Sequence, residues 1–526
     1  MVSFTPSTHF KLPQLPKELR NAIYVHLDTN DTKSLRVTCS AMAKDLPLHF
    51  DRVFISANSR NIQVFNSIAN HETYRHQVTE IIWDDARLCS GPEREEDRRD
   101  FYNLGSDPDF AEGANGCPRW FKAGSNISDD PPCHPSCNTT ASEHMGLQEC
   151  WAYYRTLLED QRQVLASDKD IESFKLGLQH FTRLKRVTVT PATHGRVGQQ
   201  LYRTPMIRAF PHGFKYPLPQ AWPHSSMTEG SHEVLPWVSE DGDRIYQQVY
   251  GIGCTAEKYR NKWRGYRLVT QALVDCENKV TEFVVGGNEV KTGLNCRIFD
   301  QRCVEYDNLI TLLKQPNFEL LSLDLFTGAL EDEDWVSYKT GLLRDALAQA
   351  KTILHFRLRA TTEIQDAFPQ RLDPEDLEEY LFPLRTIFPI DDWRQLRYFG
   401  MSNMLVDIDD LIGLLADLPP SLQCVELSHL AFGSLDQGYD ALLRAMRDTL
   451  DWRLRPMEKR PRVHMVASTR TQRPGRSGMF VEIDDAIYSY LYGSGNNPFE
   501  DDSDAISPGQ GGVQRDAFNP KFAAPF

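Results

Sequence analysis

The chain has 526 residues and carries 58 Lys and Arg against 73 Asp and Glu, a net charge of −15, which argues against a generic binder of nucleic acid or of anionic membrane. At 40% hydrophobic residues, with 9 Trp, 19 Tyr and 27 Phe, it holds ample apolar material for a large core. Its length implies roughly three to four domain-sized masses or one elongated array.

The first fifty residues, taken in order, predict a small helical module. Leu15, Leu19, Ile23 and Leu27 fall at i, i+4, i+8 and i+12, which is one apolar stripe on a short helix. Pro16 suits the first turn, where its missing N–H is no loss, and Asp28-Thr29-Asn30-Asp31 supplies turn and cap residues before a second helix. Leu35, Cys39 and Met42 then share one side of the next stretch. A module of about 40 residues is too small to be comfortable alone, so its leftover apolar surface is expected to meet a partner. A helical hairpin that merely packs on the following domain is the other reading of the same residues.

The span from Leu12 to about Phe50 resembles an F-box, the motif by which substrate receptors attach to a Skp-family adaptor in cullin–RING ubiquitin ligases. The likeness rests on Leu15-Pro16, Glu18-Leu19, Ile23, Leu27, the turn at Asp31, Leu35-Arg36-Val37 and Cys39. It departs from the usual pattern at Thr32, where Leu commonly follows the Asp, at Ser40, where a basic residue is common, and at Met42, where Trp or another large residue is common. The runs Leu46 to Ile55 and His71 to Asp85 also resemble the large F-box group of filamentous fungi. The resemblance implies adaptor contacts through Leu12, Pro13, Leu15, Pro16, Leu19, Ile23, Leu27, Leu35, Val37 and Cys39. It further implies a substrate-recognition subunit of an SCF-type ligase that is not itself an enzyme and needs no cofactor.

Beyond residue 50, helix-like and strand-like stretches alternate. Val53 to Ser56 reads as a strand, Asn61 to Ala69 as a helix and Val78 to Trp83 as a strand. A helix through Ile171, Phe174 and Leu178 precedes the strand Leu184 to Val189, and one through Tyr259, Trp263, Leu268 and Leu273 precedes Val280 to Val285. Downstream, Leu309 to Leu313 leads to Leu320 to Leu325, Leu342 to Leu347 to Ile353 to Leu358, and Leu411 to Leu415 to Leu422 to Leu427. Strands at Leu396 to Phe399 and Val463 to Val466 extend the series. Leu-x-Leu strands after helices, repeated with short connections, are what a leucine-rich-repeat solenoid requires, since each unit buries its apolar face only by stacking on neighbours. The uneven spacing predicts an irregular α/β solenoid, α+β overall with the helical module, and an ordinary pair of α/β domains remains the alternative.

The expected organisation is therefore a tail 1–10, the F-box-like module 11–50, the repeat region 51–490 and a disordered tail 491–526 rich in Gly, Ser, Asn, Asp and Pro. Two insertions, about 87–150 and 190–253, interrupt the repeats; the second carries Phe210, Phe214, Tyr216, Trp222 and Trp237. No stretch approaches the ~20 apolar residues of a membrane span and no secretory signal opens the chain, so an intracellular protein is expected, cytoplasmic or nuclear. Its eleven Cys are odd in number and mostly isolated, which points to reduced thiols.

Catalytic signatures are missing. His71 and His76 are five apart rather than four, and no phosphate-binding Gly-x-x-x-x-Gly-Lys loop or Gly-x-Ser-x-Gly elbow occurs. Adjacent carboxylates at Asp84-Asp85, Asp391-Asp392 and Asp409-Asp410 read as caps or solvated turns. Cys117, Cys133, His134, Cys137 and Cys150 are the candidate set for a structural zinc site in the first insertion, which is also where an enzyme activity would have to sit. The leading expectation is a receptor whose helical module binds the Skp-family adaptor and whose repeats bind an unidentified target protein, without nucleic acid or membrane. A stand-alone protein-binding scaffold is the runner-up.

Overall fold

The computed structural model describes residues 12, 15–27, 29–46, 48–91, 117–125, 145–195, 200–219, 222–223, 234–251, 253–287, 292–328, 335–361, 380–433, 438–468 and 480–499. Three short helices come first: α1 (Lys17–Tyr24), α2 (Thr29–Arg36) and α3 (Ser40–Asp45). Nine strands then build one parallel sheet: β1 (Arg52–Ser56), β2 (Glu80–Asp84), β3 (Arg186–Thr190), β4 (Glu282–Val285), β5 (Leu320–Phe326), β6 (His355–Arg359), β7 (Tyr398–Ser402), β8 (Cys424–Ser428) and β9 (Arg462–His464). Their order across the sheet is their order in the chain, and a tenth strand, Leu294–Asn295, pairs with the end of β5. The fold is thus mixed helix and strand on a mostly parallel sheet.

Parallel neighbours need a crossover of a dozen or more residues, and helices supply it. The longer ones are α4 (Ser59–Ala69), α5 (Leu147–Ser167), α6 (Lys169–His180), α7 (Arg264–Asp275), α8 (Val304–Leu313), α9 (Leu342–Leu347), α10 (Ile408–Asp417), α11 (Tyr439–Thr449) and, after β9, α12 (Asp484–Tyr492), while the described part of the β6–β7 crossover holds the one-turn helix Leu384–Ile387. Helix α4 starts where the Asn58 side chain accepts from the amides of Arg60 and Asn61, and it buries Ile62, Phe65 and Ile68 at threefold spacing. Helix α10 starts in the same way on Asp407, which accepts from Asp410 N, and buries Leu411, Ile412, Leu414 and Leu415. Successive helices pack on one another: α4 on α6, α6 on α7, α7 on α8, α8 on α9, and farther along α10 on α11 and α11 on α12.

Strand pairing is in register from end to end. The second residue of each strand is apolar throughout, from Val53, Ile81, Val187 and Phe283 to Leu321, Phe356, Phe399, Val425 and Val463, each at most 3% exposed. The fourth residue repeats this with Ile55, Trp83, Val189, Val285, Leu323, Leu358, Met401 and Leu427. Because side chains alternate along a strand, these two rows share the face that packs on the helices, as Trp83 does edge-to-face on Phe174 of α6. The first, third and fifth residues point to the opposite face, where the first row is half-buried at Arg52, Arg186, Glu282, His355 and Tyr398 and the fifth row, from Ser56, Asp84 and Thr190 to Asp324, Arg359, Ser402 and Ser428, is buried.

The two insertions meet. Leu88, Cys117, Trp120, Phe121, Cys150 and Tyr154 form a second core, and Phe210, Phe214 and Tyr216 from the other insertion pack against it. Its rings interlock, with Phe121 5.0 Å from Tyr154 and Tyr153 4.8 Å from Phe214. Residues 491–499, expected to belong to the disordered tail, are packed. Leu491 is 3% exposed, Asn497 4%, and the Phe499 ring stacks on Tyr439 at 5.2 Å, because α12 and the turn after it cover α11. Residues 1–10 and 500–526, with the Glu500 to Asp504 cluster, lie outside the described residues. Among the described residues, no helix is long and apolar enough to cross a membrane and all nine cysteines are free thiols.

Candidate functional site

The helical module closes on very little. Among the described residues its buried side chains are Met42 and Leu46, each 2% exposed, and α1 has no buried residue. Pro16 stands at the N-cap of α1, just ahead of the first turn rather than in it. The Tyr24 hydroxyl meets Met42 Sδ at 3.7 Å, Arg20 pairs with Asp45, and Arg36 Nη1 donates to Ala43 O at 2.6 Å. Met42 therefore supplies the inward side chain at one of the positions where the sequence departs from the F-box pattern. Ser40 is exposed at the start of α3 and Thr32 half-buried on α2.

What remains outside is the stripe read from the sequence. Leu19 is 53% exposed, Ile23 38% and Val37 85%, Pro16 and Cys39 are exposed, and Leu12, Leu15, Leu27 and Leu35 are half-buried. Pro13 lies outside the described residues. Val25, at 81%, adds an exposed apolar side chain that the stripe did not include. So many bare aliphatic side chains on 30 residues with almost no core of their own make a surface suited to burial against another protein.

The face of the sheet away from the helices is the second surface, and its polar residues form cross-strand pairs. Along the first row, Arg52 pairs with Glu80 at 3.0 Å and Arg186 with Glu282 at 2.6 Å, while Thr188 donates to Glu80 at 2.6 Å. Farther along, His355 and Tyr398 lie flat on each other, centroids 3.9 Å apart, and burial brings the His355 imidazole down to about 4. It is therefore an uncharged stacking surface at neutral pH.

Beneath that stack, Arg357 of β6 reaches over β7 to Glu426 of β8, 3.2 Å away. The residue between them is Gly400; a Cβ there would stand 3.1 Å from Arg357 Cγ and 3.1 Å from the Tyr398 ring. Burial opposes ionisation of Glu426, but the Arg357 guanidinium and the Tyr398 hydroxyl outweigh it and hold the carboxyl below its ordinary value. Arg359 faces Asp324 at 3.9 Å, and Gly287 N donates to the same carboxylate at 2.8 Å. Arg357→Met should therefore cost about 3–5 kcal/mol by stranding a buried carboxylate, whereas Arg357→Met/Glu426→Gln should cost clearly less. Urea unfolding of the two variants checks this; equal losses would mean that the pair is not the source.

At the C-terminal end of β2, Asp84 and Asp85 are 2% and 4% exposed, not the solvated turn expected. Asp85 is in part the cap that was foreseen, because it accepts from Gly265 N at 2.9 Å in the first turn of α7 and from the Trp222 indole at 2.7 Å. Burial raises Asp84 to about 7, with hydrogen bonds from Thr193 and Ala86 pulling down and the Asp85 charge pushing up. Nearby, His194 is hydrogen-bonded to the Tyr216 hydroxyl at 2.9 Å, and burial drives it down to about 3. Walled in to this degree, the group holds the second insertion and the start of α7 to the sheet and offers no open approach to a substrate.

The pH consequence has two limbs. The Asp84 contribution is fully present below the ordinary carboxyl value of 3.8 and is lost as pH rises through about 7; that of His194 is present above 6.5 and lost as pH falls through about 3. Asp84→Asn removes the first limb alone. Relative to that variant, the wild type should lose on the order of 2 kcal/mol between about pH 5 and pH 8, read from urea midpoints at both ends. A constant difference across that range would contradict the assignment.

Cys117 and Cys150 do come together, but inside the second core, where burial raises both thiols. That environment disfavours the thiolate a metal needs. Cys133, His134 and Cys137 lie outside the described residues. Among the described residues, no group of three or more His, Cys, Asp or Glu is arranged to hold a metal ion. Sequence reasoning missed the polar pairs on the face away from the helices; the signal was the repeated polar residue between Leu-x-Leu positions, legible only once the strands are aligned. No protein-family model and no curated protein matches the chain.

Proposed function

We propose that this chain is the non-catalytic substrate-recognition subunit of an SCF-type ubiquitin ligase, with residues 11–50 docking a Skp-family adaptor and the region after them binding a target protein. The observation that carries the reading is the bare stripe of Leu19 and Ile23 on three short helices that bury two side chains among the described residues. A second support is the strand order. A doubly wound domain reverses its order at a switch point, whereas nine strands in chain order with successive helices packed in sequence are what a leucine-rich-repeat-like solenoid requires.

In such a subunit the work is proximity. Holding a target beside a charged conjugating enzyme raises its effective concentration, and the transfer chemistry belongs to other subunits. In this reading the target-binding surface is the half-buried first row of the face away from the helices, with Arg52, Arg186, Glu282 and the His355–Tyr398 platform. The test is co-purification of the tagged full chain with the adaptor: near-stoichiometric recovery is expected, and its absence from the wild-type preparation would replace this reading with that of a stand-alone scaffold.

A further inference from the structure

Along the outer flank of α4 runs a groove of about 540 Å³, within the roughly 300–1,000 Å³ range of small-ligand sites. Its apolar lining is Phe50, Val64, Ile68 and Tyr74, and its polar lining is Arg60, Gln63, Ser67 and His71. Arg60, Val64, Ile68 and His71 follow one another at intervals of three or four, so they share one flank of the helix and of the turn that ends it. The remaining wall is aromatic. Phe50, just before β1, meets Tyr74 edge-to-face at 4.9 Å, and His71 lies flat on Tyr74 at 3.9 Å. Gln77 Oε1 accepts from Phe50 N at 3.1 Å and ties that wall to the segment after α4.

The polar lining is rich in donors. Arg60 is exposed and makes no ion pair among the described residues. Asp160, the carboxylate beside the start of α4, does not line the groove and accepts from Asn58 Nδ2 and Ser59 N, both at 2.9 Å. His71 Nδ1 accepts from the amides of Thr73 and Tyr74 at 3.2 and 3.3 Å, which leaves Nε2 to carry the proton. The Ser67 hydroxyl gives its hydrogen to Gln63 O at 2.7 Å. The lining thus holds one guanidinium without a counter-ion, four apolar side chains and no carboxylate. A cation set in apolar lining selects an anion whose body is apolar, and the fork of a guanidinium matches the two oxygens of a carboxylate. From Arg60 to Ile68 the helix rises about 12 Å at ~1.5 Å per residue, the length of a molecule with one ring and a short chain.

We propose that this groove binds a small apolar carboxylic acid, its carboxylate on Arg60 and its ring or chain along Val64 and Ile68 against Phe50 and Tyr74. The inference does not depend on the adaptor or on ubiquitin transfer.

Fluorine NMR on the full chain tests it with two probes of one shape, para-fluorophenylbutyrate and the uncharged amide of that acid. The acid is expected to bind, read as broadening of its fluorine line, and the amide to bind at least tenfold more weakly. Arg60→Gln should weaken the acid by about the same factor and leave the amide where it was. Arg60→Lys, which keeps the charge but loses the two-pronged geometry, should fall between. Val64→Ser should weaken acid and amide alike. Thermal unfolding of each variant checks the fold, which is expected to hold because Arg60 is exposed and Val64 only half-buried. Equal affinity for acid and amide, or acid binding unchanged by Arg60→Gln, would overturn the proposal. So would an acid that does not bind at all. Displacement of the bound acid by one equivalent of the adaptor would assign the groove to a protein interface instead.

Discussion

Leu19→Asp/Ile23→Asp is expected to abolish recovery of the adaptor while leaving the unfolding of the free chain unchanged. Both side chains already stand in water, 53% and 38% exposed, so exchanging them should move stability by no more than about 0.5 kcal/mol. In a complex they would be covered, each contributing about 1.5–3 kcal/mol, and carboxylates in their place would add a desolvation penalty. Lost burial alone amounts to about 3–6 kcal/mol, or roughly 10²–10⁴-fold in Kd at 1.4 kcal/mol per tenfold. Pull-down and titration calorimetry read the binding, and thermal unfolding reads the fold. Adaptor retained at wild-type affinity by a folded double variant would remove the stripe from the interface and, with it, the main support for the ligase reading. Met42→Asp makes the contrasting case, since at 2% exposure it should unfold the module and lose the adaptor through structure rather than through contact.

Gly265→Ala should be among the most destabilising single-methyl additions in the molecule. A Cβ at that position would stand 2.3 Å from Trp83 Nε1 and 2.7 Å from Asp85 Cγ. Neither can retreat: Trp83 is 1% exposed and packed on Phe174, and Asp85 is fixed by Gly265 N and by the Trp222 indole. Helix α7 would have to lift from the end of β2, giving up its cap and part of the core, at a cost of about 3 kcal/mol or more. Gly146→Ala is the control, because its Cβ would meet only Glu149 Oε2 at an ordinary 3.7 Å. Urea midpoints of the two variants should separate clearly. Equal and small shifts would mean that α7 is not locked to the sheet through this contact.

The fold was legible where its signal is local. Ile62, Phe65 and Ile68 mark α4, and the Leu-x-Leu run at Leu321, Leu323 and Leu325 marks β5, because a helix face and a strand face each impose their own period on the residues that must be buried. Leu15, Leu19, Ile23 and Leu27 announced a stripe for the same reason, and the reading needed no knowledge of what lies opposite. The second core could not be read in this way. Trp120 and Phe121 meet Tyr154 in space, and Tyr153 meets Phe210 and Phe214, more than 50 residues away, with no period linking them. The polar rows failed for a related reason: Arg357 and Glu426 are 69 positions apart and become partners only because Gly400 leaves the gap between their strands open.

By itself, the sequence determined the alternation of helices and strands and the apolar stripe of the N-terminal module, because each depends on side chains a few positions apart on one element. Only the tertiary structure decided that the nine strands stand in chain order, that Asp84, Asp85 and His194 are buried, and that residues 491–499 pack on the last helices. Those are outcomes of which surfaces close on one another across long loops, where desolvation and packing between distant segments outweigh any local preference.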